Sequence, residues 1–236
     1  MPRRAVLAVG ALAMAVAACG GSTSRASENE APEGGTSTRS ELPRTLQHIE
    51  AGAEDVADFV PHAQWNRVRA DVAKVTADWE TYRGRAGADG ATPAELAGLD
   101  GALGRLRSAA DAQRPADALQ ASNDVSAVVV ELYALYDPPE PVDLGRLDVV
   151  GRQIALDVGR ADLAGAAQQV ERARAVWGGL RANVMHHDGK RIAARMDATI
   201  MALQRAVREN NGQALHARAD AMLERVDDME RLYSRR

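Results

Sequence analysis

Four consecutive side chains, Met185, His186, His187 and Asp188, are the residues of this sequence best suited to metal chemistry. A thioether beside imidazoles suits copper, above all Cu(I), and methionine with histidine is also an axial pair for haem iron. The same residues stand at a predicted turn between helices, where histidine is an ordinary soluble residue. His216 falls near the opposite helix end, roughly 30 Å away at 1.5 Å per residue. Met185, His186 and His187 are therefore weak metal candidates, and no cofactor is predicted.

Four aspartates recur at equivalent places in the two halves of the chain. Asp100 corresponds to Asp197, and Asp124 corresponds to Asp220. One interpretation is an acidic site inside each half. The favoured interpretation is an ion pair between helices with one of the many arginines, or an aspartate near a helix N-terminus.

The common catalytic motifs are missing from the sequence. It contains no GxSxG, no phosphate-binding glycine loop and no HExxH. No histidine has an acidic residue three positions before it, as the di-iron helical bundles require. The single cysteine, Cys19, excludes an intrachain disulfide and a multi-cysteine zinc site. The sequence therefore predicts a protein that is not an enzyme.

Aromatic residues at helical spacing are predicted to belong to the structural core, and the less favoured alternative is that they line a ligand cavity. The core set is Trp65, Trp79, Trp177, Tyr136 and Tyr233.

Apolar residues recur every three or four positions from Leu42 to the end of the chain, which is the spacing of amphipathic helices. Thr92 and Glu95 form a capping box before one of them. The proline-rich segment 137–141 divides eight predicted helices into two groups of four. Short connections favour antiparallel neighbours, so we predict an all-α fold of two tandem four-helix up-and-down units, 42–136 and 142–236.

The two units match residue by residue at a separation of about 96–98 positions. Trp79 corresponds to Trp177, and Tyr136 corresponds to Tyr233. An internal duplication is the favoured explanation, and chance similarity between alanine-rich helices is the alternative.

The N-terminus has the order of a secretory signal: Arg3 and Arg4, then an apolar run over 5–18 that is too short to span a bilayer. The run ends in Val16-Ala17-Ala18-Cys19, which resembles the lipobox of bacterial lipoproteins. The resemblance implies cleavage after residue 18 and a diacylglycerol on Cys19. Membrane lipid is then a partner, and the location is extracytoplasmic, on the cell membrane or on the outer membrane of a two-membrane cell. Twin-arginine export remains an alternative to the general secretory route.

Residues 19–41 are small, polar and rich in glycine, serine and threonine, so we expect a flexible tether of roughly 25 Å reach. The whole chain has 236 residues, 47 of them alanine and one phenylalanine, a composition that favours helices. Its net charge of −4, with no basic run, excludes nucleic acid as a predicted partner.

These features predict a lipid-anchored envelope protein with a non-catalytic interaction, structural or accessory role and a possible protein partner. The alternative is a protein that binds or senses copper, iron, haem or a small ligand.

Overall fold

The computed structural model describes residues 41–234, and the signal, the lipobox and nearly all of the predicted tether lie outside them. The described chain is helical between short connections, as the apolar periodicity predicts. Its helices are α1 (Arg44–Phe59), α2 (Trp65–Ala86), α3 (Pro93–Asp111), α4 (Pro115–Tyr133), α5 (Val142–Gly159), α6 (Leu163–His186), α7 (Lys190–Arg208) and α8 (Gly212–Tyr233), with a 3-10 turn at Val60–His62.

Each group of four helices closes into a ring. In the first half α1 packs on α2, α2 on α3, α3 on α4, and α4 returns to α1. In the second half α5, α6, α7 and α8 repeat this order, with α8 against α5. Such closure with short loops is the up-and-down bundle arrangement. The all-α prediction is therefore confirmed.

Two hydrophobic cores fill the two rings. The first contains Ile49, Val75 and Leu132, and the second contains Ile154 and Met196, all fully buried. The halves are nonetheless not separate bodies, because α4 packs along α5 and the eight helices belong to one compact unit. The junction between α4 and α5 is therefore part of the fold.

Left-handed residues end most of the helices. Five of them are not glycine and have φ between 49° and 61°: Ala63, Gln113, Ala161, Asp188 and Asn210. After α7, for example, Asn210 takes φ 49° and the Asn211 amide donates to Ala206 O at 2.9 Å, which closes the helix end. These turns make the connections short enough to hold consecutive helices side by side.

The structure also refines the predicted boundaries. Helix α3 begins at the predicted capping box, in which Glu95 N donates to Thr92 Oγ1 at 3.2 Å and Thr92 N donates to Glu95 Oε2 at 2.6 Å. Helix α2 continues through Gly84 to Ala86. Gly212 opens α8 with Asn211 as its cap, because Asn210 already supplies the left-handed turn after α7.

Candidate functional site

The recurring aspartates Asp100 and Asp197 bind the same two residue types in each half. In the first half, Asp100 accepts hydrogen bonds from Trp79 Nε1 at 2.7 Å and Arg83 Nη2 at 2.8 Å. In the second, Asp197 accepts from Trp177 Nε1 at 2.8 Å and from Arg181 at 2.9–3.0 Å.

Each of these tryptophans lies one helical turn before its arginine, so both donors reach one carboxylate on the next helix. The Arg181 hydrogen bonds lower the pKa of Asp197, although its burial opposes this. The carboxylates lie near the surface, with 41% of the Asp100 side chain and 34% of the Asp197 side chain exposed. The ion-pair interpretation describes this geometry, whereas an acidic site inside each bundle does not.

The second recurring pair does not share an environment. Asp124 forms an ion pair with Arg105 of α3 at 2.9 Å. Asp220 lies 3.3 Å from Nδ1 of His216 on its own helix, with both side chains more than half exposed. Similarity of sequence at these two positions therefore does not extend to similar contacts.

The Met185–His187 segment makes local contacts at the end of α6. Nδ1 of His187 lies 2.9 Å from the carbonyl oxygen of Asn183, and the ring packs against Tyr233 with centroids 4.8 Å apart. His186 meets His187 edge to face, and Arg181 lies 3.1 Å from the sulfur of Met185. Within residues 41–234, no three His, Cys, Asp or Glu side chains come together as a metal site would require.

The predicted core aromatics pack as follows. Trp79, Trp177, Tyr136 and Tyr233 are buried, and Trp65 is partly buried against the first core. The hydroxyl of Tyr136 lies 2.8 Å from that of Tyr82 and donates to Asp89. The hydroxyl of Tyr233 donates to Asn183. Tyr136 thus connects the end of α4 to the end of α2, and Tyr233 connects the end of α8 to the end of α6.

A polar seam joins the two halves along α4 and α5. Gln120 and Gln153 exchange two hydrogen bonds, at 2.8 and 3.1 Å. Asn123 adds bonds to Gln153 at 3.0 Å and to the Val149 carbonyl at 3.2 Å. Arg160, which follows α5, reaches back to donate to Gln120 at 2.6 Å and to the Ala116 carbonyl at 3.2 Å.

An arginine cleft opens beside this seam, with a volume of about 500 Å³. Arg105 lines it from α3, Arg114 from the start of α4, and Arg160 from the end of α5, so both halves contribute. Gly101 and Gly104 add no side chains to the α3 wall, and Asp117 and Asp124 complete the charged groups. Charged side chains from three helices thus surround open space at this cleft.

A carboxylate with a raised pKa lies on the other side of the same junction. Burial, reinforced by the neighbouring Glu54, raises the pKa of Glu50 from 4.5 to about 7. The Tyr133 hydroxyl and the Arg152 cation oppose this shift, and Asp148 adds to it. Arg152 itself pairs with Asp148 at 2.8 Å. Glu50 therefore changes its charge near neutral pH.

A smaller groove of about 270 Å³ lies between α4, α5 and α6 and is lined mainly by valine and alanine. Glu131 and Arg146, which pair at 2.6 Å, and Arg172 also line it. Met201 is the large apolar residue that stands out to solvent in the described chain. The groove presents a narrow apolar surface where helices of the two halves meet.

Sequence reasoning did not identify Arg105, Arg114, Arg160 or Glu50. A lone arginine in an arginine-rich sequence carries no signal, because its role depends on which helix packs beside it. Of the charged residues that line the cleft, only Asp124 stood out in the sequence, because it recurs as Asp220 in the second half.

Cys19 and the residues around it lie outside the described range. Of the helices that the structure describes, none combines the length and the apolar character needed to cross a membrane. No protein-family model matches the chain, and no curated protein or solved structure is detectably similar to it.

Proposed function

We propose that the chain is a lipid-anchored extracytoplasmic protein of a bacterium, with a non-catalytic interaction, structural or accessory role in the cell envelope. The observation that carries the proposal is the position of its single cysteine, Cys19, directly after the apolar run that ends in Val16-Ala17-Ala18. Two or more acyl chains on this residue anchor a protein stably, since each buried CH₂ contributes about 0.8 kcal/mol.

The contacts of the polar residues support a non-catalytic role. Asp100 and Asp197, the acidic residues that recur in the two halves, accept hydrogen bonds from tryptophan and arginine of the preceding helix. His187 is engaged with a backbone carbonyl and an aromatic ring.

The test of the anchor is Cys19→Ala in the full chain, expressed in bacteria that process lipoproteins. The variant should lose acyl labelling and move from the membrane to the soluble fraction, because the sulfur is the acylation site. Ser24→Ala, five residues further on, is the matched control and should remain on the membrane. Unchanged membrane retention and labelling of the Cys19→Ala protein would refute the proposal.

A second candidate function is the binding of a small ligand, and the arginine cleft favours it. Copper, iron or haem bound near Met185, His186 and His187 is the metal form of this alternative. Elemental and absorbance analysis of protein purified without chelator separates the possibilities. Near-stoichiometric copper or iron, or a Soret band, would make it a metal or haem protein, and the triple replacement of those three residues by alanine should then remove the group.

A further inference from the structure

We propose that the arginine cleft binds a small, multiply charged oxyanion, either a phosphate or a polycarboxylate group. The cleft lies where α3, α4 and the end of α5 meet. Guanidinium groups match both ligand classes, since two parallel N–H groups can bind two oxygen atoms. The inference goes beyond the proposed envelope role and does not depend on the anchor.

The charge of the lining is the first argument. Arg105, Arg114 and Arg160 face two carboxylates, Asp117 and Asp124, so the cleft has an excess of one positive charge. The whole chain carries −4. A local positive charge in a net negative protein attracts anions to this place and not to the general surface.

Arg160 supplies the excess charge. Its two hydrogen bonds run to neutral acceptors, the Gln120 side chain and the Ala116 carbonyl. These bonds use two of the five N–H donors of a guanidinium and fix its position at the cleft. The remaining donors and the full positive charge are available to a ligand.

The other two arginines can exchange their partners at low cost. The Arg105–Asp124 pair at 2.9 Å and the Arg114–Asp117 pair at 3.2 Å are formed by arginines that are more than half exposed. Ion pairs of this kind contribute little to stability. An oxyanion can therefore replace or share the carboxylates without destabilising the helices.

The space is open because two residues of the α3 wall are glycines. A Cβ atom added at Gly104 would meet no heavy atom within 4 Å, and one at Gly101 would meet only the Arg105 guanidinium, at 3.4 Å. A volume of about 500 Å³ holds a small organic anion with part of its hydration shell.

The test is calorimetric titration of the full-length protein in a non-ionic detergent at low salt with pyrophosphate, with citrate and with dihexanoyl phosphatidic acid, whose phosphomonoester is multiply charged near neutral pH. The expected result is saturable binding of at least one of these probes. Arg160→Gln should weaken it about tenfold, which corresponds to the loss of one charge-assisted contact. Arg107→Gln removes the same charge from an exposed position of α3 outside the cleft and should change the affinity less than about twofold.

A second variant separates loss of the site from loss of the fold. Gly104→Glu places a carboxylate in the open space, where it can pair with the arginines, and should abolish binding. Gly178→Glu makes the same change at an exposed helical position of α6 with nothing within 4 Å, and should bind as wild type does. Both replacements favour the helix, so both proteins should unfold at or above the wild-type denaturant midpoint.

Binding of pyrophosphate or citrate assigns the site to a soluble ligand, and binding of the phospholipid alone assigns it to a lipid headgroup. Absence of saturable binding by all three probes, or binding that Arg160→Gln and Gly104→Glu leave unchanged, would overturn the inference. Neither result would alter the outcome for Cys19→Ala, so the two proposals fail separately.

Discussion

Single residues in this protein show that the partner of a charged group decides its role. Asp197, which is half-buried, and Asp220, which is exposed, are both helical aspartates of the second half. Asp197 accepts hydrogen bonds from Trp177 and Arg181, whereas Asp220 lies beside a single histidine on its own helix. Asp197 therefore links two helices, whereas the ion pair of Asp220 stays within one helix.

Glu50 should make the stability of the protein depend on pH. Its pKa is raised to about 7 in the folded chain, against 4.5 without the fold. The folded state therefore binds more protons than the unfolded state between these values, and stability falls as pH rises through about 7. Below about pH 4.5 this contribution is fully present.

Glu50→Gln should remove this dependence, because the amide resembles the protonated acid and carries no charge at any pH. Urea unfolding between pH 5 and pH 8 measures it. We expect the variant to be more stable than wild type at pH 8, by up to about 3 kcal/mol at 1.36 kcal/mol per pKa unit, and similar at pH 5. Glu209→Gln, at an exposed helix end, is the control, and an equal pH response of both variants would contradict the assignment.

At the scale of the helix, small residues set how closely neighbours approach. A Cβ atom built on Gly52 of α1 would lie 2.3 Å from Cγ2 of Val75 in α2, far inside contact distance. A Cβ atom built on Gly151 of α5 would likewise lie 2.7 Å from Cδ2 of Leu223 in α8. Glycine is costly within a helix by about 1 kcal/mol, and here close packing offsets that cost.

Gly52→Ala should therefore destabilise the protein by about 1–3 kcal/mol, since overpacking of a core outweighs the gain in helix propensity. Gly178→Ala is the matched change in open space and should stabilise it by about 0.5–1 kcal/mol. Chemical denaturation measures both. A stabilising effect of Gly52→Ala would show that α1 and α2 do not approach as closely as the structure has them.

At the largest scale, residues 41–234 form two bundles held as one unit by α4 and α5. The contact combines the reciprocal Gln120–Gln153 bonds with a close approach, because a Cβ atom at Gly145 would lie 2.7 Å from Cγ2 of Val130. Cooperative unfolding requires such contacts between the two cores.

We expect the wild-type protein to unfold in one transition, observed at the same urea concentration by circular dichroism and by tryptophan fluorescence. Gly145→Leu should force α4 and α5 apart and separate the transitions of the two bundles, or broaden the single one. Gly178→Leu, in α6, should leave one transition. Two separate transitions in the wild-type protein would mean that the junction does not couple the halves.

The sequence by itself determined the helices, the capping box at Thr92 and the burial of residues such as Trp79 and Trp177. These features depend on local spacing, which the order of residues contains directly. The abundance of arginine also favoured an ion pair at Asp100 and Asp197, and the structure supplies the partners, Arg83 and Arg181.

Only the tertiary structure decided the arginine cleft and the pKa of Glu50. Arg160 donates a hydrogen bond to Gln120, 40 positions earlier in the chain. The charges of Arg152 and Asp148, which lie on another helix, act on the pKa of Glu50. The packing of α4 against α5 creates both environments. Which surfaces of two amphipathic bundles meet depends on the shapes of many side chains together, and apolar periodicity along one helix does not specify it.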